Sequence, residues 1–331
     1  MSAKPDPRSG TRDIEHCVNL LASGGVVAIP TETVYGLAAD AANAQAVAKI
    51  FAIKKRPTSH PLIVHIGEAG WLDDWATDVP ESARVLARTF WPGPLTLVLN
   101  RHPRVLPIVT GGQGSVAIRV PAHPLALRLI RAFGRPVVAP SANRFTHLSP
   151  TRAEDVRAEF GPAVEFILDG GPCRVGVEST IVDMRNGAAR LLRPGGIAAE
   201  RIEEVLQQPL RTGDSAARVP GQHPLHYSPD ARVSLIKPED LADKALSLAR
   251  NGLRVGVLLP SELAGPGWSG EARIVPIVVP ASPDDYASSL YRFLRSFDEQ
   301  GCDVILASLP DARGLGAALC DRLRRAAGPR A

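Results

Sequence analysis

Short apolar runs alternate along the chain with stretches whose apolar residues recur every three or four positions. The runs read as buried strands and the spaced stretches as amphipathic helices. By this rule VVAI (26–29), LIVHI (62–66), LTLVL (95–99), SVAIRV (115–120) and VVAP (137–140) are strands. Residues 43–53 form a helix with Asn43 as N-cap and Val47, Ile50 and Phe51 on one face. Residues 81–90 form another. Residues 124–133 form a third, with Leu125, Leu129 and Phe133 in one stripe and Gly134 as its stop. Thr151 and Glu154 read as a capping box opening a helix that runs to Phe160, with Gly161 behind it. EFILDGG, STIVDM and ARLLRPGG read as strands and turns, and residues 199–207 as a short helix.

From Gln208 to about Arg232 the period disappears, and Pro, Gly, Ser, Arg and His dominate. This is the linker expected between two folded units. A second alternation follows. VSLI (233–236), VGVLL (255–259), IVPIVV (274–279) and VILASL (304–309) are strands, and residues 239–250, 284–299 and 315–326 are helices. The expected division is a flexible tail over 1–12, a first domain over 13–207, a linker over 208–232 and a smaller domain over 233–331. Both folded parts have the alternation of an α/β protein.

Composition narrows the class without fixing it. A chain of 331 residues suits two domains, and 45% hydrophobic with 22% charged residues is ordinary for a globular protein. Aromatics are only 5%, so Val, Leu, Ile and Ala must make the core. The formal charge of +4 fits a polyanionic ligand such as a nucleotide or RNA. The basic residues cluster at Lys54-Lys55-Arg56 and at Arg322, Arg324, Arg325 and Arg330; the second group reads as a solvated helix end and tail. Cys17, Cys173, Cys302 and Cys320 form no CxxC pair, which argues against a zinc site and for a reducing, cytoplasmic setting. The first dozen residues read as a tail and not a signal peptide, and the longest apolar runs fall far short of the ~20 residues that span a bilayer.

No GxxxxGK[ST], HExxH or GxSxG motif is present, and no GxGxxG follows the first strand. His223 and His226 read as ordinary loop histidines and not as metal ligands. Four stretches instead place polar residues where a strand runs out into a loop, the usual ligand position in an open α/β sheet. In PTETVYGL (30–37), hydroxyl and carboxyl side chains follow a strand; alone, the stretch reads equally as a turn capped by Thr33. In 49–66, Lys54 and Arg56 suit a triphosphate, although a basic helix end explains them as well. His65, within an apolar run, reads locally as a satisfied core histidine. In SVAIRVPAHP, Arg119 lies opposite Val116, Ile118 and Val120, and a buried arginine must be paired or bind an anion. In APSANRFTHLSPT (139–151), short hydroxyls and amides can donate to phosphate, with Ser149 and Thr151 near a helix start. GVEST (176–180) and LLRPG (191–195) are similar junctions.

PTETVYGL, KKRPTSHPLIVHI, FWPGPLTLVL, AIRVP, APSAN…SPT, VESTIVD and LLRPGGI occur in that order. Together they resemble the YrdC-like family, in its long two-domain L-threonylcarbamoyladenylate synthase form. The resemblance is dense over about residues 14–230; the remainder matches in length and α/β pattern only. It implies a twisted open mixed sheet with a deep, positively charged cavity, followed by a second, smaller Rossmann-like α/β domain. The implied reaction condenses L-threonine with bicarbonate and ATP to threonylcarbamoyl-AMP and pyrophosphate. This is the first step of tRNA threonylcarbamoyladenosine formation, and a tRNA-modifying threonylcarbamoyl transferase would take the product. ATP would come with Mg2+ as substrate, with no permanently bound cofactor or dedicated metal site, and contact with tRNA would be indirect.

By match, Lys54, Arg56, Ser141 and Asn143 look like the catalytic basic and Ser-x-Asn signature around ATP. His60, Ser115, Ala139, Ser149, Arg193 and Tyr227 look like further ATP contacts, Tyr227 closing over the nucleotide. Thr33, His65, Arg119 and Ser179 look like the threonine pocket, with Arg119 on the amino-acid carboxylate. The chain departs from the family pattern in three places. His60 stands where Asn is usual, Phe145-Thr146 where Ser-Gly is common, and PGQHPLHYSP (220–229) where the linker often reads PGMKYRHYAP. Two other classes compete. An RNA-binding module fits the charge but lacks an aromatic stacking cluster. A carbamoyltransferase-like domain lacks the acylphosphatase-like and CxxC segments that accompany such domains.

Overall fold

The computed structural model describes residues 9–213, 217–221, 223, 226–264 and 271–329. In chain order the first part comprises α1 (Ser9–Ala22), β1 (Val27–Ile29), β2 (Gly36–Asp40), α2 (Ala44–Lys54), β3 (Ile63–His65), β4 (Ala76–Thr77), α3 (Glu81–Phe90), β5 (Leu95–Arg101), the single turn α4 (Pro107–Thr110), β6 (Ser115–Arg119), α5 (Pro124–Phe133), β7 (Val137–Val138), α6 (Ala153–Phe160), β8 (Phe166–Ile167), β9 (Thr180–Asp183), β10 (Arg190–Arg193) and α7 (Ala199–Leu206). Its strands form one sheet in the order β10-β9-β5-β6-β3-β7-β2-β1-β8, with β4 alongside β5. The sheet is mixed: β3–β6, β5–β9 and β1–β8 are parallel, and the other pairs are antiparallel.

The helices form where the apolar spacing places them. Asn43 caps α2 by accepting from the N–H groups of Gln45 and Ala46, and Gly134 closes α5 in the left-handed region at φ 70°. One face of the sheet is covered by a large aliphatic core that includes Val47, Ile50, Leu86, Leu97 and Ile118. The other carries α1 and α5, through Cys17, Leu21, Leu129 and Ile130. Residues 9–12, expected as tail, open α1, which buries Ile14, Cys17 and Leu21 against the sheet; residues 1–8 lie outside the described residues. The capping box at α6 also differs from expectation. It is the Asp155 carboxylate, not Glu154, that accepts from the N–H groups of Thr151 and Arg152, because α6 starts at Ala153.

The second part comprises β11 (Arg232–Leu235), α8 (Leu241–Arg250), β12 (Val255–Pro260), β13 (Ile274–Val279), α9 (Pro283–Glu299), β14 (Val304–Ala307) and α10 (Gly316–Ala327). These strands form an all-parallel sheet in the order β11-β14-β12-β13. Such a sheet is buried on both faces. Here α8 covers one face through Leu241 and Ala245, and α9 and α10 cover the other through Leu290, Leu294, Leu319 and Leu323. That second core continues into the first part through Val34, Leu148, Val177 and Tyr227, so α9 and α10 dock directly on the loops at the strand ends of the larger sheet. Gly176 is one close approach: its φ is +76°, and a Cβ there would lie 2.4 Å from the Ser288 Cα of α9. No described helix is long and apolar enough to cross a membrane.

Candidate active site

The cavity where these loops meet encloses about 40 Å3. It lies at the ends of β1, β3, β6, β7, β9 and β10. Thr31, Thr33, Arg56, His65, Arg119, Ala139, Ser141, Glu178, Ser179, Arg193, Gly221, His226 and Tyr227 line it. The antiparallel turn from β1 to β2 delivers Thr33. Its Oγ1 lies 2.7 Å from that of Thr31, whose hydroxyl holds the turn by donating to the Val34 carbonyl at 2.7 Å. Thr33 therefore serves the cavity and does not cap a helix.

At one end of the cavity, β3 and β6 run parallel with His65 opposite Arg119. The Arg119 guanidinium is buried. It donates to Glu32 Oε1 at 2.6 Å, to Thr33 Oγ1 at 3.1 Å and to the Gly93 carbonyl at 3.2 Å. Glu32 completes the clamp by accepting from the Ala122 N–H at 2.9 Å. Burial and the neighbouring Arg119 push the His65 pKa down to about 3, so the imidazole is neutral at physiological pH. Its Nδ1 lies 3.2 Å from the Ile63 carbonyl, which can only accept; Nδ1 therefore carries the proton and Nε2 is an acceptor. Ser179 Oγ, 2.7 Å from Thr96 Oγ1, adds a hydroxyl.

At the other end, the left-handed Lys55 ends α2, turning Lys54 and Arg56 inward and Lys55 outward. Arg56 donates to the Pro61 carbonyl at 2.9 Å and lies over the Phe145 ring; desolvation lowers its pKa to about 10, leaving it charged at neutral pH. Arg193 holds the Ser179 carbonyl at 2.9 Å through Nη2 and the Pro220 carbonyl at 3.0 Å through Nη1. Gly221 sits between Arg193 and Tyr227, where φ is +85° and a Cβ would meet the Tyr227 hydroxyl at 2.4 Å. Tyr227 itself has φ +60° and is wedged between His226 and Tyr291.

The cavity lining thus gathers Thr33, Arg56, His65, Arg119, Ala139, Ser141, Ser179, Arg193 and Tyr227. Five other expected residues lie outside it. Lys54 is buried behind Ser141, its ammonium donating to the Ser141 and Asn143 carbonyls, and desolvation lowers its pKa well below the usual lysine range. Asn143 ties the same turn by donating to the Arg144 and His147 carbonyls, each at 2.8 Å. His60 stands at the edge, 5.1 Å from the Phe145 ring. Ser115 lies at the far end of β6, opposite Asn100. Ser149 donates to Glu178 at 2.6 Å.

Three residues in this region depart from the sequence reading. Arg322, read as part of a solvated helix end, is fully buried and donates to Glu178 Oε2 at 2.7 Å. His226, read as an ordinary loop histidine, is buried in the cavity wall. Glu178 was not singled out, although it stands inside GVEST. Its carboxylate is held down at about 2: burial raises its pKa, and Arg322, Arg193 and the Ser149 hydroxyl more than offset this. Of the departures from the family pattern, Gln222, Pro224 and Leu225 lie outside the described residues; His223 is described and its ring lies 5.5 Å from Phe145.

Several buried polar atoms here have no hydrogen-bond partner among the described residues: Arg56 Nε, Asn143 Oδ1, His226 Nδ1, the Tyr227 hydroxyl and Arg322 Nη2. Buried polar groups are normally satisfied, so such a cluster suits a polar, anionic ligand. An open mixed α/β sheet whose strand ends collect guanidiniums, hydroxyls and a neutral imidazole has the chemistry to take a polyanion beside a small polar molecule. The chain belongs to the Sua5–YciO–YrdC family, whose model, described as "Telomere recombination", matches residues 19–195. A second model, "Threonylcarbamoyl-AMP synthase, C-terminal domain", matches residues 197–328. The chain is 43% identical to the threonylcarbamoyl-AMP synthase of Bacillus subtilis, over 96% of its own length and 93% of the relative. To that of Pyrococcus abyssi it is 41% identical, over 96% and 94%. The crystal structure of P. abyssi Sua5 complexed with L-threonine superposes with a TM-score of 0.87 at 39% identity, covering 95% of this chain and 94% of the other.

Proposed function

We propose that this chain is a threonylcarbamoyl-AMP synthase and that the cavity at the strand ends of the larger sheet is its active site. The observation that carries the reading is the gathering of Arg56, Ser141 and Arg193 with Thr33, His65, Arg119 and Ser179 around one cavity. In this reading Arg119, held from behind by Glu32, pairs with the threonine carboxylate through its remaining N–H groups. His65 Nε2 and the Thr33 and Ser179 hydroxyls receive the amine and side-chain hydroxyl. A site built to bond a hydroxyl discriminates strongly against the analogue that lacks it.

The threonine amine attacks the carbon of bicarbonate-derived CO2 and loses a proton, giving N-carboxythreonine. Its carboxylate oxygen then attacks the α-phosphorus of ATP, and the bond from that phosphorus to the α,β-bridging oxygen breaks, with pyrophosphate leaving. The protein contributes position and charge more than proton transfer. Arg56, Arg193 and Ser141 face the triphosphate, which carries Mg2+ as part of the substrate. Lys54 and Asn143 hold the Ser141 turn in shape from behind.

A cavity of about 40 Å3 accommodates a few water molecules and not ATP. The wall formed by Pro220, Gly221, His226 and Tyr227 must therefore swing out to admit the nucleotide and return over it. The product is a mixed anhydride that hydrolyses readily, so a downstream transferase, acting on tRNA, must consume it. This movable wall falls within the stretch expected as linker, 208–232. All four cysteines are free and buried, which suits a cytoplasmic setting.

The test is pyrophosphate release from MgATP by the full chain, with and without L-threonine and bicarbonate, and with serine and glycine as controls. Release that needs both L-threonine and bicarbonate is expected. Release independent of either, or none from folded protein, would overturn the assignment.

A further inference from the structure

We propose that Glu178, Tyr291 and Arg322 form a clasp through which the C-terminal unit sets Arg193 and Tyr227 in place, so that Tyr291 and Arg322 are positioning residues for the nucleotide end of the cavity. The proposal rests on the enzymatic reading above and adds two residues to it from the second sheet's helices.

Glu178 stands in the loop before β9 and is only 6% exposed. Its carboxylate accepts from the Ser149 hydroxyl at 2.6 Å, from the Tyr291 hydroxyl at 3.0 and 3.1 Å, and from Arg322 Nε at 2.7 Å. A buried carboxylate needs a bonded cation nearby. Within the first unit the neighbouring cation is Arg193, but its N–H groups go to the Ser179 carbonyl and hydroxyl and the Pro220 carbonyl. The cation bonded to Glu178 comes from α10.

The same two side chains frame Tyr227. The Arg322 guanidinium lies 4.9 Å from the centre of its ring, and the Tyr291 ring 5.8 Å. Arg322 also donates to the Pro194 carbonyl at 3.1 Å, next to Arg193. On the far side, the Arg325 carbonyl accepts from the His226 N–H at 3.3 Å and Arg325 Nη1 donates to the His223 carbonyl at 3.1 Å. Electrostatics gives the contact a second consequence. A bare Glu178 would put a negative charge on the wall that the triphosphate must approach, and Arg322 cancels it. Nucleotide affinity therefore depends on α9 and α10, while the Arg119 clamp at the threonine end, closed by Glu32 from its own unit, does not.

The experiment compares wild type, Tyr291→Phe, Arg322→Lys and Arg322→Met in the full chain. It reads pyrophosphate-release kinetics, thermal midpoints and amide hydrogen exchange. Tyr291→Phe keeps the ring and removes one hydrogen bond to a charged group. It should raise the ATP KM about tenfold, leave the threonine KM within about twofold, and speed exchange at 176–180 and 226–228 about tenfold. Arg322→Lys should fall between wild type and Arg322→Met. An unchanged ATP KM and unchanged exchange in Tyr291→Phe would overturn the clasp. So would equal rises in both KM values that follow the thermal midpoint, since that is the mark of a structural contact alone. If wild type itself releases no pyrophosphate, the enzymatic reading fails, and the exchange measurement still decides the clasp.

Discussion

The two ends of the cavity solve the same electrostatic problem with different parts of the chain. At the threonine end the buried pair is Arg119 with Glu32, 2.6 Å apart, and both residues belong to the larger sheet and its turns. At the nucleotide end the buried pair is Arg322 with Glu178, 2.7 Å apart, and it joins the two units. Breaking a buried pair costs more than the pair ever contributed, because the remaining charge has no water. The first end is thus self-contained and complete once the larger sheet has folded. The second is complete only when the smaller sheet has docked, although on the proposed function it receives the larger and more highly charged substrate.

The largest effect should come from Arg119→Ala. It strands Glu32 in a site only 4% exposed, and should destabilise the first unit by about 3–5 kcal/mol in denaturant unfolding. Pyrophosphate release by the folded fraction should need at least about 100-fold more threonine, at little change in ATP KM. Arg119→Ala with Glu32→Gln should recover stability without recovering threonine use. A double variant as unstable as the single one would mean that the pair is not what holds this end.

A pH titration sharpens the comparison. His65 has a folded pKa of about 3 against 6.5 for a free imidazole, and His226 is likewise lowered by burial. The unfolded chain therefore takes up protons first as the pH falls. The stability from keeping these rings neutral is complete above about pH 6.5 and is lost progressively toward pH 3. Glu178 is lowered from 4.5 to about 2, so its contribution is lost only in that more acidic window. Thermal midpoints should thus start to fall near pH 6.5, and His65→Gln should make the fall shallower between about pH 6.5 and 3 while leaving the contributions of His226 and Glu178. An identical curve in His65→Gln would show that the imidazole is not buried neutral.

Arg56→Ala should come next. Its protein contacts are the Pro61 carbonyl and the Phe145 face, so stability should hardly change, while kcat/KM for ATP should fall roughly 10- to 100-fold at constant threonine KM. A comparable loss for threonine would dissolve the distinction between the two ends.

What could be read in the sequence follows the same line. Elements defined by local spacing came through: α2 with its Asn43 cap, α3, α5 with its Gly134 stop, and the strand carrying Arg119 away from Val116 and Ile118. β2 did not, because GLAAD offers no β-branched or aromatic residue and becomes a strand only by pairing with β1 and β7. α1 was not read as a helix: the spacing of Ile14, Cys17 and Leu21 was passed over and its first turn was assigned to the tail. Within the site, nine of the residues recognisable from motifs line the cavity, while Lys54, His60, Ser115, Asn143 and Ser149 lie outside it. Glu178 and Arg322 were not recognisable, since their meaning lies in a partner 144 positions away in the chain. Local pattern shows that Arg322 is basic and near a helix end; only the docking of α10 shows that it is buried.

The smallest of these effects tests whether α2 is a passive support. Asn43 accepts from the Gln45 N–H at 3.0 Å and the Ala46 N–H at 3.1 Å, and Asn43→Ala should cost ~1 kcal/mol. That corresponds to a fall of a few degrees in the thermal midpoint of the unit. The cap lies at the start of an 11-residue helix, about 16 Å from Lys54 at its end. Lys54 is fixed independently by the Ser141 and Asn143 carbonyls, so the ATP KM should stay within about twofold of wild type. Asn43→Asp keeps the acceptor and places a negative charge at the helix N-terminus, and should match or slightly exceed wild-type stability. A rise in ATP KM in Asn43→Ala without a fall in thermal midpoint would mean that the helix start is coupled to the nucleotide end. The self-contained part of the site would then stop at Arg119 and Glu32, and α2 would count with α9 and α10 among the elements that position the nucleotide.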